Sequence, residues 1–432
     1  MDPSVEQLSL FGHVQSVYAD NADRPLANDE LYEAVAERMG TPERLTETEP
    51  VGQAGQRINV FKRAVRWAQQ SLRLDGVLTR IPEERGVWAL THEGRRRLTA
   101  PAGGASLLAY ATDLGIAIWG DVRGTALKGI GQTIALCITS PPYPLQTPRA
   151  YGGPNDEQEY VDFVCRVLEP VVAGLVDGGS IALNISNDIF KEGSPARSLY
   201  RQRLTLALHD RLGLEFMDEI PWVSNKIPGP TRWASHPYRY HLRYTWEPVL
   251  WFTNNPHAVR ADNRRVLQPH TEKMKRLMER GGEQERRTSG DGAQKIRPGS
   301  YGRQTEGKIP TNVLHIGTTC QSQREAKRIA ADNGLPPHGA PFPLSLPRFL
   351  IEWLTEKGDL VVDPMGGSGT TPVAAETLGR SWISVDRYGE YVATGGLRHT
   401  AQANPNTWIN PDLLNAVGVS PDAATAYAGG VR

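Results

Sequence analysis

Short apolar runs separated by stretches of helical spacing dominate the pattern along most of the chain. Residues 134–139 read IALCIT, a continuous apolar run of the kind buried on both faces of a parallel sheet, and they stop at Ser140-Pro141-Pro142-Tyr143. The spacing predicts a helix over about 160–176, then Gly178-Gly179, then the strand-like SIALNIS. Near the other end the alternation repeats, with VVDP at 361–364, a helix through 372–378 and WISVD at 382–386. Strands alternating with helices predict an α/β fold with a doubly wound sheet.

The first hundred residues follow a different pattern. Asn28-Asp29 can cap a helix in which Leu31, Ala34, Val35 and Met39 share a face and Gly40 closes the end. A second helix is marked by Phe61, Ala64, Val65, Ala68 and Leu72, with Lys62, Arg63 and Arg66 on its other sides. Two strand-like runs, 77–81 and 87–90, flank the polar turn PEERG, and a basic helix follows. Helices followed by a small hairpin predict a winged helix, or else a helical packing domain whose arginines only solvate its surface. PAGGAS at 101–106 reads as a linker.

Composition narrows the classes. With 432 residues the chain can hold two or three domains, and 48 basic against 48 acidic residues leave no overall field to attract a polyanion. Charge is uneven, however: residues 260–308 carry thirteen Lys or Arg against seven Asp or Glu, with little apolar periodicity. That segment reads either as a disordered loop or as a nucleic-acid-reading insertion. Cys137, Cys165 and Cys320 lie far apart with no C-x-x-C pair, which argues against a disulfide framework and a thiolate zinc site. No run approaches the apolar length of a membrane span, and the start MDPSVEQLSL lacks a signal-peptide pattern, so a soluble cytoplasmic protein is expected.

Two turns are candidates for chemistry. The rigid Ser-Pro-Pro-Tyr stretch presents a hydroxyl, a carbonyl and a ring that could seat a flat amine-bearing ligand, although a plain strand-ending turn has the same punctuation. DPMGGSGTT at 363–371 places glycines between a strand and a helix, where backbone amides can approach a ligand. Asp386, at the tip of WISVD, is placed to accept from ribose hydroxyls. No Gly-Lys-Ser/Thr ending supports a P-loop, and G-x-G-x-x-G is absent.

These two turns in one α/β sheet resemble the amino-group DNA methyltransferases that use S-adenosylmethionine. The family motif D-P-F-x-G-x-G-T-T is matched from Asp363 to Thr371 except that Met365 replaces phenylalanine. TSPPY precedes DPMGGSGTT, the order of the β class, so the resemblance implies a permuted doubly wound Rossmann-like sheet. IWGD, ending in Asp121, is similar to the segment whose acid reaches the adenine amine, and WEPVLWF to a strand closing the catalytic half. HGAPFPLSLPRFLIEWL is similar to the helix-forming cofactor motif, which implies Phe342 and Pro343 near the methionine part. RAVRWAQQSLRLDGVL and GVWALTHEGRRRL resemble the N-terminal winged helix of Mrr-type restriction systems.

The resemblance divides the chain into a DNA-binding winged helix (1–105), a catalytic half (110–258), a target-recognition insertion (259–312), a cofactor half (313–400) and a tail (401–432). It implies that Ser140 and Pro141 accept the amine hydrogens of a flipped base while Pro142 stiffens the turn and Tyr143 offers a stacking face. Pro364, Gly367, Gly369 and Thr370 join Asp121, Asp363 and Asp386 in holding the cofactor, and no metal is implied. Arg264, Arg265, Arg276 and Arg297 are candidate contacts to double-stranded DNA, and NKIPGPTRWASHPYRYHLRYTWE a possible grip on it. Ser at the first motif position goes in the family with N4-cytosine, with N6-adenine as the alternative; a cognate restriction endonuclease is an admissible partner. Methylation of RNA or of a protein glutamine is a third reading, and a winged-helix regulator whose α/β part only senses the cofactor is the reading from another class.

Overall fold

The computed structural model describes residues 134–144, 154, 156–224, 232–288 and 290–427. Before them it describes 10–91 and 106–133, apart from 11–12, 15–16, 19, 22–23, 52–55, 75–77, 83, 124–126, 128–130 and 132. Among these residues no helix is long and apolar enough to cross a membrane.

At the N-terminal end β1 (Leu26–Ala27) runs into α1 (Asn28–Met39), which buries Leu31, Tyr32, Val35 and Ala36. Gly40, at φ 66°, closes it by donating to Ala36 and Glu37 carbonyls. The cap differs from the sequence expectation: Asn28 is already helical, and its side-chain oxygen accepts from Gln69 Nε2 at 3.1 Å. Ala27 takes the cap position, its amide donating to Glu30 at 3.0 Å. α2 (Val60–Leu74) buries Phe61, Val65, Ala68 and Leu72 against the same core. β2 (Leu78–Arg80) and β3 (Val87–Leu90) form the predicted antiparallel wing, with Leu78 opposite Leu90 and β1 added at the edge. The basic helix expected after the wing and the linker lie almost wholly outside the described residues.

The rest of the chain builds one large sheet. In chain order its strands are β4 (Ser106–Ala111), β5 (Gly115–Gly120), β6 (Ile134–Thr139), β7 (Leu175–Asn184), β8 (Glu215–Val223) and β9 (Trp246–Thr253). They are followed by β10 (Leu314–His315), β11 (Leu360–Asp363), β12 (Ser381–Asp386) and β13 (Trp408–Ile409). The spatial order is β10-β8-β9-β7-β6-β11-β12-β5-β4-β13, and β7-β6-β11-β12-β5 form a parallel block.

Helices cover both faces. α3 (Glu157–Ala173) and α4 (Tyr200–Leu212) pack Tyr160, Val164, Leu168, Leu204 and Leu208 on one side, with Cys137 of β6 buried among them. The other side is covered by α6 (Gln321–Asp332), α7 (Ser345–Leu354), α8 (Thr370–Thr377) and α9 (Gly389–Gln402), over Leu136 and Ile138. Every residue of β6 is buried, as its unbroken apolar run predicts. Each such Leu or Ile contributes roughly 1.5–3 kcal/mol on burial.

Of the two readings left open for the basic segment, the disordered loop is not the one observed, and one strand boundary departs from the sequence expectation. The basic segment has defined structure: α5 (Glu272–Glu279), a small hairpin pairing Arg287 with Ile296, and buried Val266 and Met278. Arg260 ties it to the main body through Asp359 at 2.9 Å. β7 begins before the Gly178-Gly179 pair rather than after it. Gly178 sits at φ 72°, and a Cβ there would lie 1.8 Å from the carbonyl oxygen of Ala258, so only glycine lets the two backbones meet. Gly178→Ala is therefore expected to destabilise the sheet domain by about 2–4 kcal/mol in urea unfolding; an unchanged midpoint would contradict this packing.

Candidate active site

The chain leaves β6 and crosses through α3 to β7 on one side, whereas from β11 it crosses through α8 to β12 on the other. Between two neighbouring parallel strands whose connections diverge, a crevice opens at their carboxyl ends. The Ser140-Pro141-Pro142-Tyr143 turn follows β6, and the glycine turn follows β11. A cavity of about 310 Å³ lies there, lined by Ser140, Pro141, Pro142 and Tyr143, by Pro364 and Met365, and by Asp121 and Asp386.

On the β6 side the polar atoms form a network. Ser140 Oγ lies 3.4 Å from Asn184 Oδ1, to which it donates, and 3.3 Å from the Tyr143 hydroxyl. Tyr143 reaches Glu247 Oε2 at 3.1 Å and Asn184 Oδ1 at 3.3 Å. Burial, and then the nearby Glu247 carboxylate, push the Tyr143 hydroxyl well above its ordinary range, so it stays a neutral donor. Asn184 is fixed in turn by donating to the Pro248 carbonyl at 3.3 Å. With its proton directed at Asn184, Ser140 keeps lone pairs to accept with.

On the β11 side, carboxylates end three adjacent parallel strands. Asp363 is buried behind the turn, accepting from Thr371 Oγ1 at 2.6 Å and the Met365 amide at 3.2 Å. It braces the turn and does not line the cavity. Asp386 accepts from the Gly367 amide at 2.8 Å and the Tyr388 amide at 2.9 Å and lines the cavity. Burial pushes both carboxyls up to about 6. Asp121, past β5, also faces the cavity, and its hydrogen bond from Arg123 holds it below the usual carboxylate range. Gly367, at φ 52°, has no room for a side chain, because a Cβ would sit 2.8 Å from His338 Nε2.

A second cavity of about 380 Å³ shares Tyr143 and Ala340 with the first and is lined by Asn184, Glu247, Tyr244 and Phe342 among others. Phe342 thus stands in this neighbouring chamber, and Pro343 is buried, its carbonyl accepting the Leu346 amide at the start of α7. From the same segment, His338 and Ala340 line the first cavity. Thr370 is buried beneath the glycine turn, and Gly369, at φ 75°, precedes α8.

None of the four arginines singled out from the basic segment lines either cavity. Arg264 is 82% exposed and paired with Asp262, and Arg276 and Arg297 are exposed. Arg265 bonds Glu356 at 2.8 Å and the Arg260 carbonyl at 3.0 Å, as an anchor of the segment.

Several residues here carried no sequence signal. Asn184 and Glu247 are brought together by the pairing of β7 with β9, in which Asn184 opposes Val249. Arg324 and Lys327, exposed on α6, line the second cavity. Arg398 of α9 is fully buried and donates to the Ser368 carbonyl at 3.0 Å, Thr370 Oγ1 at 2.9 Å and Ser322 Oγ at 2.7 Å. Its guanidinium clamps the glycine turn from behind, and burial pulls its pKa down to about 10.

With this geometry in view, the family relationship is direct. A family profile described as DNA methylase matches residues 134–395, and one described as Mrr N-terminal domain matches residues 9–100. The chain belongs to the DNA methylase family, the amino-methyltransferases that use S-adenosylmethionine. It is 32% identical over 294 residues to the type II methyltransferase M.PvuII of Proteus hauseri, covering 67% of this chain and 85% of that protein. Type II methyltransferase M1.MboII of Moraxella bovis is 24% identical over 263 residues, 60% of this chain and 87% of that one. The solved PvuII DNA methyltransferase (cytosine-N4-specific) superimposes with a TM-score of 0.53 at 25% identity, over 75% of this chain and 96% of that chain.

The residues present fit the cofactor: Asp386 and Asp121 offer acceptors and Pro364, Met365 and Phe163 apolar walls, while Gly367, Gly369 and Thr370 lie behind the lining, Gly367 through its amide to Asp386. Met365, where the family has phenylalanine, still lines the cavity.

Two predictions follow from this electrostatic arrangement. Cofactor affinity, measured by calorimetry, should be flat above neutral pH and fall as pH drops through about 6, because protonated Asp386 loses acceptor capacity. Asp386→Asn should bind roughly tenfold or more weakly with that inflection gone; a variant with wild-type affinity would contradict the assignment. Arg398→Met should weaken cofactor binding by about tenfold by leaving a buried carbonyl and hydroxyl without their donor. Arg398→Lys should lose less, and equal losses would show that the forked geometry is immaterial.

Proposed function

We propose that this protein transfers a methyl group from S-adenosylmethionine to N4 of a cytosine turned out of duplex DNA. The observation that carries the reading is the single cavity lined by both Ser140 and Asp386, with a second chamber joined to it at Tyr143. S-adenosylmethionine supplies, when bound, a methyl group on a sulfonium that is already an activated leaving group.

The residues of the chain do the positioning. An exocyclic amine is a poor nucleophile because its lone pair is delocalised into the ring. Ser140 Oγ and the Pro141 carbonyl accept its two hydrogens, which holds the nitrogen tetrahedral and can lower the barrier by several kcal/mol. The prolines keep both acceptors still. Tyr143 offers the base a face, a contact contributing roughly 1–3 kcal/mol. The Tyr143 hydroxyl, donating to Glu247, holds the ring in place beside Ser140. Arg324 and Lys327 at the second chamber suit phosphate contacts, as does the basic insertion.

The choice of cytosine rests on serine at the first motif position and on the likeness to a structure described as cytosine-N4-specific. Protection of a site against a cognate restriction endonuclease fits the type II relatives.

Sequencing of modified bases in DNA from a host expressing the chain tests base, atom and site together. N4-methylcytosine at a defined site is the expected result; methyl groups on adenine alone would replace the cytosine assignment, and unmodified DNA would favour a cofactor-sensing regulator. Ser140→Ala should lower the transfer rate by roughly a hundredfold or more while cofactor affinity stays within about twofold. Retained transfer would refute the role given to that hydroxyl.

A further inference from the structure

Leu242 is 92% exposed, the highest value for a large apolar side chain among the described residues. A single exposed leucine is ordinary on a protein surface. This one is held in place by its neighbours. Immediately before it, His241 Nε2 bonds the Pro195 carbonyl at 2.7 Å, and the His241 ring meets Phe190 edge-on at 5.2 Å. Phe190 follows Asp188 and Ile189, which line the second cavity, and Tyr244, two residues after Leu242, lines it as well. The leucine is therefore bracketed by His241, which is held against residues flanking the wall of the second cavity, and by Tyr244 of that wall, while its own side chain points at solvent.

The preceding loop is stiff. The amides of Tyr240 and His241 both donate to the Trp233 carbonyl, at 2.7 and 3.2 Å, and the Trp233 and Tyr240 rings stack at 10°. The Arg232 guanidinium lies 5.0 Å from the Trp233 ring and 5.4 Å from that of Tyr238. Arg232, Arg239 and Arg243 are exposed around this knuckle. A rigid apolar tip with arginines around it, beside a cavity that shares Tyr143 with the candidate active site, matches a polyanion that carries an apolar stack inside it.

We propose that Leu242 is the wedge of this enzyme: on the duplex it enters the gap vacated by the extruded base, while the neighbouring arginines meet the flanking phosphates. The inference rests on the reading of the protein as a base-extruding DNA methyltransferase. Filling the gap offsets the lost stacking, and that help is needed only when the target base starts out paired and stacked.

The test uses the full-length protein and two duplexes carrying the site defined by modified-base sequencing, one with the target base paired and one with it opposite an abasic position. Initial methylation rates are compared for wild type, Leu242→Ala and Leu242→Met. Leu242→Ala should slow the paired duplex by roughly tenfold or more and the abasic duplex by less than about twofold, with Leu242→Met close to wild type on both. Equal slowing on both duplexes, or none on the paired one, would overturn the wedge while leaving the methyltransferase reading intact. A wild-type protein that methylates neither duplex would overturn the reading and the wedge together.

Discussion

The arrangement of the site depends on the side-by-side pairing of β6 and β11, adjacent in the sheet although more than two hundred residues separate them in sequence. Val361 opposes Leu136 and Val362 opposes Cys137, all four wholly buried, so the register of the two strands is fixed by core packing on both faces. A slip of one residue would turn every one of these side chains to the wrong face. That register brings the serine-proline turn and the glycine turn to the rim of the same crevice.

Around the crevice, charge is distributed so that each group is held ready without a ligand. Asp363, buried, and Asp386, at the cavity wall, are carboxyls satisfied by turn amides and a hydroxyl, and each braces the turn beside it. Behind them Arg398 forms no ion pair among the described residues and is balanced by the Ser368 carbonyl, the Thr370 and Ser322 hydroxyls and the Gln402 side-chain oxygen. A buried charge satisfied by dipoles fixes geometry strongly, because any rearrangement strands donors in a medium that cannot solvate them. On the facing side, neutral groups do the work: Ser140, Tyr143 and Asn184 form a small network ending on the carboxylate of Glu247.

Much of this was legible in the sequence because buried parallel strands are nearly pure apolar runs. IALCIT and WISVD stand out for that reason, and the turns that end their neighbours carry motif residues at short spacing. The wing was legible through its two strand runs around PEERG. What stayed hidden depends on long-range pairing. Asn184 and Glu247 are ordinary polar residues near strand ends until β7 and β9 align, and Arg398 reads as a surface arginine until α9 packs over the glycine turn. The basic segment looked aperiodic because its elements are short, α5 among them, and bury few apolar side chains, Val266 and Met278, beside ion pairs such as Arg260 with Asp359. Asp363, matched by motif to the cofactor, is turned inward to hold the loop.

The claim on which the rest stands is that the two turns open on one cavity. A duplex in which cytosine N4 is covalently linked to the sulfur-bearing side chain of an S-adenosylhomocysteine analogue tests it directly by equilibrium binding. If one cavity serves both, the linked molecule should bind at least about a hundredfold more tightly than the same duplex without the link, and should displace both free cofactor and free DNA. Binding no tighter than the unlinked duplex, with free cofactor still able to bind alongside, would contradict the account.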